Sequence, residues 1–65
     1  MRILVNGEHV DVEASNLCDI LDQLGYQPDD VVVARNLEFV SRTQWADCIV
    51  EENDTLDVLS AMFGG

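Results

Sequence analysis

The chain has 65 residues, with 13 acidic side chains against three arginines and no lysine, and its formal net charge is −10. A chain of this length forms a single domain, 1–65, whose core is too small to enclose a substrate pocket, so a binding module or a carrier is favoured over an enzyme. The negative charge excludes nucleic acid and disfavours an anionic membrane surface as partners, because both bind basic protein faces.

Membrane, export and metal signals are all weak. No apolar run approaches the roughly 20 residues of a membrane span, and residues 1–6 are too short for a signal peptide, so we expect a cytoplasmic protein. Cys18 and Cys48 lie far apart, and with His9 they make a poor zinc set, so no metal site is expected. Both thiols are expected to be inert and partly buried, and His9 to be a surface residue.

The first elements are predicted to be a hairpin and a helix. Asn6-Gly7 is a two-residue turn signal between an apolar run, 3–5, and an alternating segment, 8–12. A helix over about 16–24 follows, with Asn16 as its N-cap and Gly25 ending it. Four residues of this segment repeat at the spacing of one buried helical stripe: Leu17, Ile20, Leu21 and Leu24.

The segment after the helix is predicted to hold two strands joined by a turn. Residues 31–34 are mostly β-branched and predict a strand buried on both faces, and a short strand is expected around residues 38–40. Asn36-Leu37 is the turn between them. Leucine argues against a type I′ turn, because that turn needs a positive φ at both positions.

The last part of the chain contains a helical turn, a polar turn and a final strand. Residues 41–45 suggest the helical turn, with Trp45 as a core or edge anchor, and residues 51–54 suggest a solvated polar turn. Residues 55–59 form the last strand. Leu56 and Val58 face one side of it, so Leu59 is expected on the opposite face, away from the helix.

The predicted order is β-β-α-β-β-β, which indicates an α+β fold. We expect a mixed sheet of four to five strands with one main helix across one face. The first and last strands are the natural central neighbours, so a flexible tail, 60–65, would leave from the middle of the sheet. Glycine has no Cβ, so a Gly64-Gly65 end could pass through a narrow channel.

The chain resembles the ThiS family of ubiquitin-like, β-grasp sulfur carriers of thiamine biosynthesis over its whole length. The matching pieces are the opening residues 1–8, the capped leucine-rich helix, residues 33–36, residues 39–42 with Trp45, the Asn53-Asp54 turn and the final Gly64-Gly65. The short length and the Asn-Gly-Glu opening favour ThiS over the molybdopterin-synthase small subunit. Leu37, Ser41 and Asn53 stand where family members commonly have Gly, Pro and Gly, and Phe63 is bulkier than the residue often found there.

The resemblance implies a carrier and not an enzyme. An E1-like adenylyltransferase of the ThiF type would adenylate the Gly65 carboxylate, with ATP and Mg²⁺ used by that partner and no cofactor bound by this chain. A cysteine desulfurase would supply persulfide sulfur. The resulting thiocarboxylate would donate its sulfur to a thiazole synthase of the ThiG type. A monomer that forms transient heterocomplexes is expected.

The same resemblance implies the site residues. Gly65 would carry the sulfur, and Gly64 would permit close approach inside the partner's channel. Phe63, Met62 and Ala61 would lie against the partner's tail groove, and Leu59 would belong to an apolar docking patch with a polar rim. Three other functions stay open at this point: a sulfur carrier for molybdopterin, tRNA thiolation or cysteine, a ubiquitin-like protein modifier, and a plain interaction domain.

Overall fold

A computed structural model of the chain describes residues 1–60, and the predicted tail residues Ala61, Met62, Phe63, Gly64 and Gly65 lie outside the described residues. The described part has the predicted β-β-α-β-β-β order. Its elements are β1 Arg2–Val5, β2 Glu8–Asp11, α1 Leu17–Gln23, a 3-10 helix Pro28–Asp30, β3 Val31–Arg35, β4 Glu38–Val40, a 3-10 helix Arg42–Asp47 and β5 Thr55–Ser60. None of the helices within residues 1–60 is long and apolar enough to cross a membrane.

The strands form one mixed sheet in the order β2-β1-β5-β3-β4. The first strand, β1, runs parallel to β5, with Val5 opposite Leu56, and the other pairs are antiparallel. The predicted adjacency of the first and last strands is therefore confirmed. Since β5 is the central strand, the chain beyond Ser60 continues from the middle of the sheet.

Two hairpin turns have the same backbone conformation. Asn6 and Gly7 have φ of 51° and 84°, which confirms the turn predicted there. Asn36 and Leu37 have φ of 51° and 71°, so the prediction against a type I′ turn at this position is wrong. A two-residue loop between twisted antiparallel strands favours this geometry, and it prevails even though a left-handed leucine costs about 1 kcal/mol.

The core lies between the sheet and α1. Asn16 caps the helix by accepting a hydrogen bond of 2.8 Å from the backbone N–H of Asp19, as predicted. Trp45 is 2% exposed, and its indole N–H donates to the Val40 carbonyl at 3.0 Å, which confirms it as a core anchor. The fully or nearly fully buried residues are Ile3, Val5, Val12, Leu17, Ile20, Leu21, Val33, Trp45, Val50, Leu56 and Val58.

Two burial predictions are wrong. The third strand is not buried on both faces, because Val33 is 1% exposed whereas its neighbour Val32 is 40% exposed. An antiparallel strand can face water on one side, and β3 does so. Cys18 is exposed rather than partly buried, since it follows the buried Leu17 on the next face of the helix. Cys48 is half-buried as predicted.

Candidate functional site

The sheet face opposite α1 carries exposed apolar side chains. Val32 on β3 and Leu59 on β5 lie directly opposite each other, and Leu59 is 62% exposed. Ala34 on β3 pairs with Phe39 on β4, and Phe39 is 70% exposed. Residues directly opposite in neighbouring strands have adjacent side chains on one face of the sheet. We call Val32, Ala34, Phe39 and Leu59 the open-face patch.

The position of Leu59 is the one predicted from the alternation of β5. Val58 is 6% exposed on the core side, and Leu59 faces the other way. The other predicted site residues, Ala61 to Gly65, lie outside the described residues. The structure therefore places only Leu59 of the predicted set, and it adds three neighbours, Val32, Ala34 and Phe39, that the sequence did not assign to a site. Alternation along β3 and β4 was the signal that could have found them.

The open-face patch has an acidic margin. Asp57 lies two residues before Leu59 on the same face of β5, directly opposite Ala34. On the far half of this face, β1 and β2 present Arg2, His9 and Asp11, and the salt bridge between Arg2 and Asp11 spans 3.6 Å. His9 is exposed, as predicted. Leu4 of β1, half-buried and opposite His9, also lies on this half. The face is therefore apolar at the patch, acidic at Asp57 and mixed under β1 and β2.

The end of β5 is held on both of its edges. The first strand, β1, ends at Val5. Beyond that point the side chain of Asn6 forms the hydrogen bonds to β5 that a further residue of β1 would otherwise form. The Asn6 amide donates to the Val58 carbonyl at 3.1 Å and accepts from the Val58 N–H at 2.8 Å. On the other edge, Val31 of β3 pairs with Ser60. These contacts fix the end of β5.

A charged network joins the other end of β5 to the β3–β4 hairpin. Arg35 Nε donates to Asp54 at 2.7 Å, and the Asn36 amide donates to the same carboxylate at 3.1 Å. The Glu51 N–H donates to Asp54 at 2.8 Å, and the Asn36 side-chain oxygen accepts from Thr55. The prediction of a solvated turn is wrong for Asp54, because its side chain is only 12% exposed.

The network changes the acidity of Asp54. Burial by itself raises the pKa of Asp54, but the hydrogen bonds from the Glu51 N–H, Asn36 and Arg35 outweigh it, and the pKa lies below its ordinary value. The same hydrogen bond, donated by Arg35 to Asp54, raises the pKa of Arg35. Asp54 is therefore stabilised as a carboxylate in the folded protein.

We expect Asp54→Asn to lower the free energy of unfolding at pH 7 by about 2 kcal/mol, because a charged acceptor of three hydrogen bonds is lost. A carboxylate with a lowered folded-state pKa stabilises the fold above its unfolded pKa, about 4, and this contribution disappears as the pH falls through the folded value. Urea unfolding at neutral and acid pH measures both effects. The variant should lose less stability on acidification than the wild type does.

Asp47→Asn is the control for this experiment, because Asp47 is an exposed carboxylate at the end of a 3-10 helix. It should leave the neutral-pH stability close to that of the wild type. An Asp54→Asn variant with the same pH dependence as the wild type would contradict the role assigned to Asp54.

A metal centre or a substrate cleft would each leave a pattern in the described part of the chain. Residues 1–60 contain no group of three or more His, Cys, Asp or Glu side chains placed to hold a metal ion. A shallow cleft beside the first hairpin is lined by Val5, Asn6, Glu8, Val10, Leu24 and Tyr26. Glu8 and Tyr26 are the titratable side chains of that lining.

Comparison with known proteins identifies the family. The ThiS family model matches residues 2–65. The chain belongs to the ThiS family. Its members are small sulfur carriers of thiamine biosynthesis and not catalysts, and the ubiquitin-like β-grasp fold expected from the resemblance is confirmed.

Two solved structures of ThiS proteins have the same fold. The chain is similar to the crystal structure of ThiS from Geobacter metallireducens, with a TM-score of 0.85, 29% identity and full coverage of both chains. It is also similar to the solution NMR structure of a thiamine biosynthesis protein from Geobacter metallireducens, with a TM-score of 0.77 and 32% identity over 100% of this chain and 88% of that chain.

Two similar proteins are longer than this ThiS chain. One is the thiazole synthase of Paramagnetospirillum magneticum, 33% identical over 66 aligned positions. The other is the thiazole synthase of Magnetococcus marinus, 35% identical over 66 positions. The alignments cover all of this chain but 20% of each relative, so the chain spans about a fifth of their length.

Proposed function

We propose that this ThiS-family chain carries sulfur as a thiocarboxylate on Gly65 and delivers it to a thiazole synthase. The chain supplies the acyl group that carries the sulfur and a docking surface, while the reactions take place in its partner enzymes. The observation that supports this most is the central position of β5, whose end is hydrogen-bonded on both edges and lies beside the open-face patch.

The chemistry requires activation because a carboxylate is a poor electrophile. An E1-like enzyme of the ThiF type transfers AMP from ATP to the Gly65 carboxylate and releases pyrophosphate. The terminal sulfur of a cysteine persulfide, formed by a cysteine desulfurase, then attacks the acyl carbon and AMP leaves. This gives an acyl disulfide with the cysteine. A second thiol then attacks the cysteine sulfur, which yields the thiocarboxylate and a disulfide.

The residues of this chain position the Gly65 acyl group in the partner enzymes. Gly64 lets the backbone enter a narrow channel, since glycine has no Cβ to clash with its walls. Phe63, Met62 and Ala61 contact the groove that leads to it. Leu59, exposed at the patch two residues before Ala61, docks against the enzyme surface outside the groove.

Thiazole synthase is the proposed acceptor because of the two longer relatives. In each protein of that name, a segment similar to this chain is part of the synthase's own chain. This association favours thiazole formation over molybdopterin, tRNA or protein-modification pathways.

The deciding experiment is the intact mass of the chain after incubation with the activating enzyme, ATP and a persulfide donor. We expect one oxygen to be exchanged for one sulfur, and fragment masses to place the exchange on Gly65. Loaded chain should then lose this sulfur when thiazole synthase and its other substrates are added. A chain that keeps its original mass, or one recovered in conjugates with lysine side chains, would overturn the proposal.

A further inference from the structure

The tip of the β3–β4 hairpin combines backbone strain with apolar exposure. Leu37 has a φ of 71° and is 87% exposed. A leucine in this conformation is unfavourable, and glycine or asparagine would hold the same turn more easily. The folding of residues 1–60 therefore gains nothing from a leucine side chain here. An exposed residue in a strained conformation points to a role outside the fold.

The tip is next to the open-face patch along the chain. Phe39 lies two residues after Leu37 and is 70% exposed beside Ala34. The apolar surface consequently extends from Leu59, near the end of β5, to the opposite end of the sheet, where Arg35 pairs with Leu56. A partner that bound only the tail and Leu59 would leave the hairpin end of this surface in water.

Charge restricts what can cover the hairpin. Glu38 separates Leu37 from Phe39 and is exposed, and Asp57 lies opposite Ala34. Glu51, also exposed, reaches Arg35 at the base of the hairpin at 3.5 Å. A second copy of the chain would bring a further charge of −10 against these carboxylates, whereas a basic surface would be attracted to them.

We propose that Leu37 and Phe39 form an anchor for thiazole synthase, which receives them in an apolar pocket bordered by arginine or lysine side chains. This inference rests on the proposed function, in which the synthase accepts the sulfur. Both enzymes must engage the tail, so an anchor at the far end of the sheet gives one of them a contact, in addition to Leu59, that the other does not use. The synthase is that enzyme, because in the two longer relatives a similar segment stays with it permanently.

The test compares the affinity of the full chain and of Leu37→Asn for the thiazole synthase by titration calorimetry. Asparagine accepts a positive φ, so the turn is kept while the apolar side chain is removed. We expect the dissociation constant to rise about tenfold, which is typical for the loss of one buried apolar contact at an interface. Higher salt should weaken wild-type binding, because the carboxylates and the basic border are screened.

Three controls make the result specific. Leu37→Gly should lose the same affinity with no decrease in melting temperature. Ile49→Asn replaces another apolar residue, 56% exposed and outside the strands, and should bind as the wild type does. Affinity for the activating enzyme should be unchanged in Leu37→Asn.

Equal binding of Leu37→Asn and wild type to the synthase, no binding of the wild type, or an equal loss toward the activating enzyme would each overturn the anchor. Thiocarboxylate formation is followed separately by mass. A chain that is loaded normally but shows no Leu37 effect refutes the anchor and leaves the carrier function intact. A chain that is never loaded refutes the carrier function, and the affinity comparison still decides the anchor.

Discussion

Deletion of Gly65 is expected to reduce sulfur loading about 100-fold or more, since a catalytic geometry displaced by even about 1 Å can lose that factor. The deletion withdraws the terminal carboxylate by one residue, roughly 3.3 Å of extended chain. Adding one alanine after Gly65 moves the carboxylate by the same distance in the other direction and should be equally damaging. The rate of thiocarboxylate formation by the activating enzyme measures both effects.

Both length variants should keep their fold, because the core and all five described strands lie within residues 1–60. Their circular dichroism spectra and melting temperatures serve as the control. A chain extended by one residue that is loaded at the wild-type rate, without being trimmed, would show that the Gly65 carboxyl group is not the reacting group.

Leu59→Asp is expected to weaken binding to the thiazole synthase by at least about 100-fold. The change removes one apolar contact and places a charge in an interface without a partner, which together cost about 3 kcal/mol or more. The new carboxylate would also lie two residues from Asp57 on the same face of β5. Calorimetric titration of the synthase with each chain measures the loss.

The stability of Leu59→Asp should change little, because Leu59 is 62% exposed and does not belong to the core. Leu59→Met is the matched variant, since methionine keeps the volume and the apolar character and should retain most of the affinity. Ile49→Asp adds the same charge at another exposed apolar position and should bind normally. Equal affinities of Leu59→Asp and Ile49→Asp would remove Leu59 from the docking surface.

Local signals predicted the elements on which the fold depends. Asn6-Gly7 specified a turn because few residue pairs accept two positive φ values, and that turn is present. Asn16 and Gly25 bounded the helix, where Asn16 caps the first turn and Gly25 has a φ of 87°. The exposure of Leu59 followed from the two-residue period of β5. Each of these signals acts over a few neighbouring residues.

The failed predictions have different physical causes. Residues 31–34 read as buried on both sides because a β-branched run does not show whether a second layer covers the sheet. Asp54 read as part of a solvated turn, although its partners Arg35 and Asn36 precede it by 19 and 18 positions. The prediction against a type I′ turn at Leu37 considered only the preference of leucine for a negative φ. The short loop between β3 and β4 instead determines its positive φ. The Asp54 network depends on pairing between distant segments, which no local pattern records.

The hydrogen bonds between Asn6 and Val58 contribute to the resistance of the fold against a pulling force on its C-terminal end. Tension applied beyond Ser60 acts along β5, which is flanked by β1 on one edge and β3 on the other. Hydrogen bonds perpendicular to such a force are loaded in shear, so they resist together instead of opening one after another. Under the proposed function, this arrangement lets an enzyme draw the last residues into its channel while the domain outside stays folded, and the same domain is then released for another round of delivery.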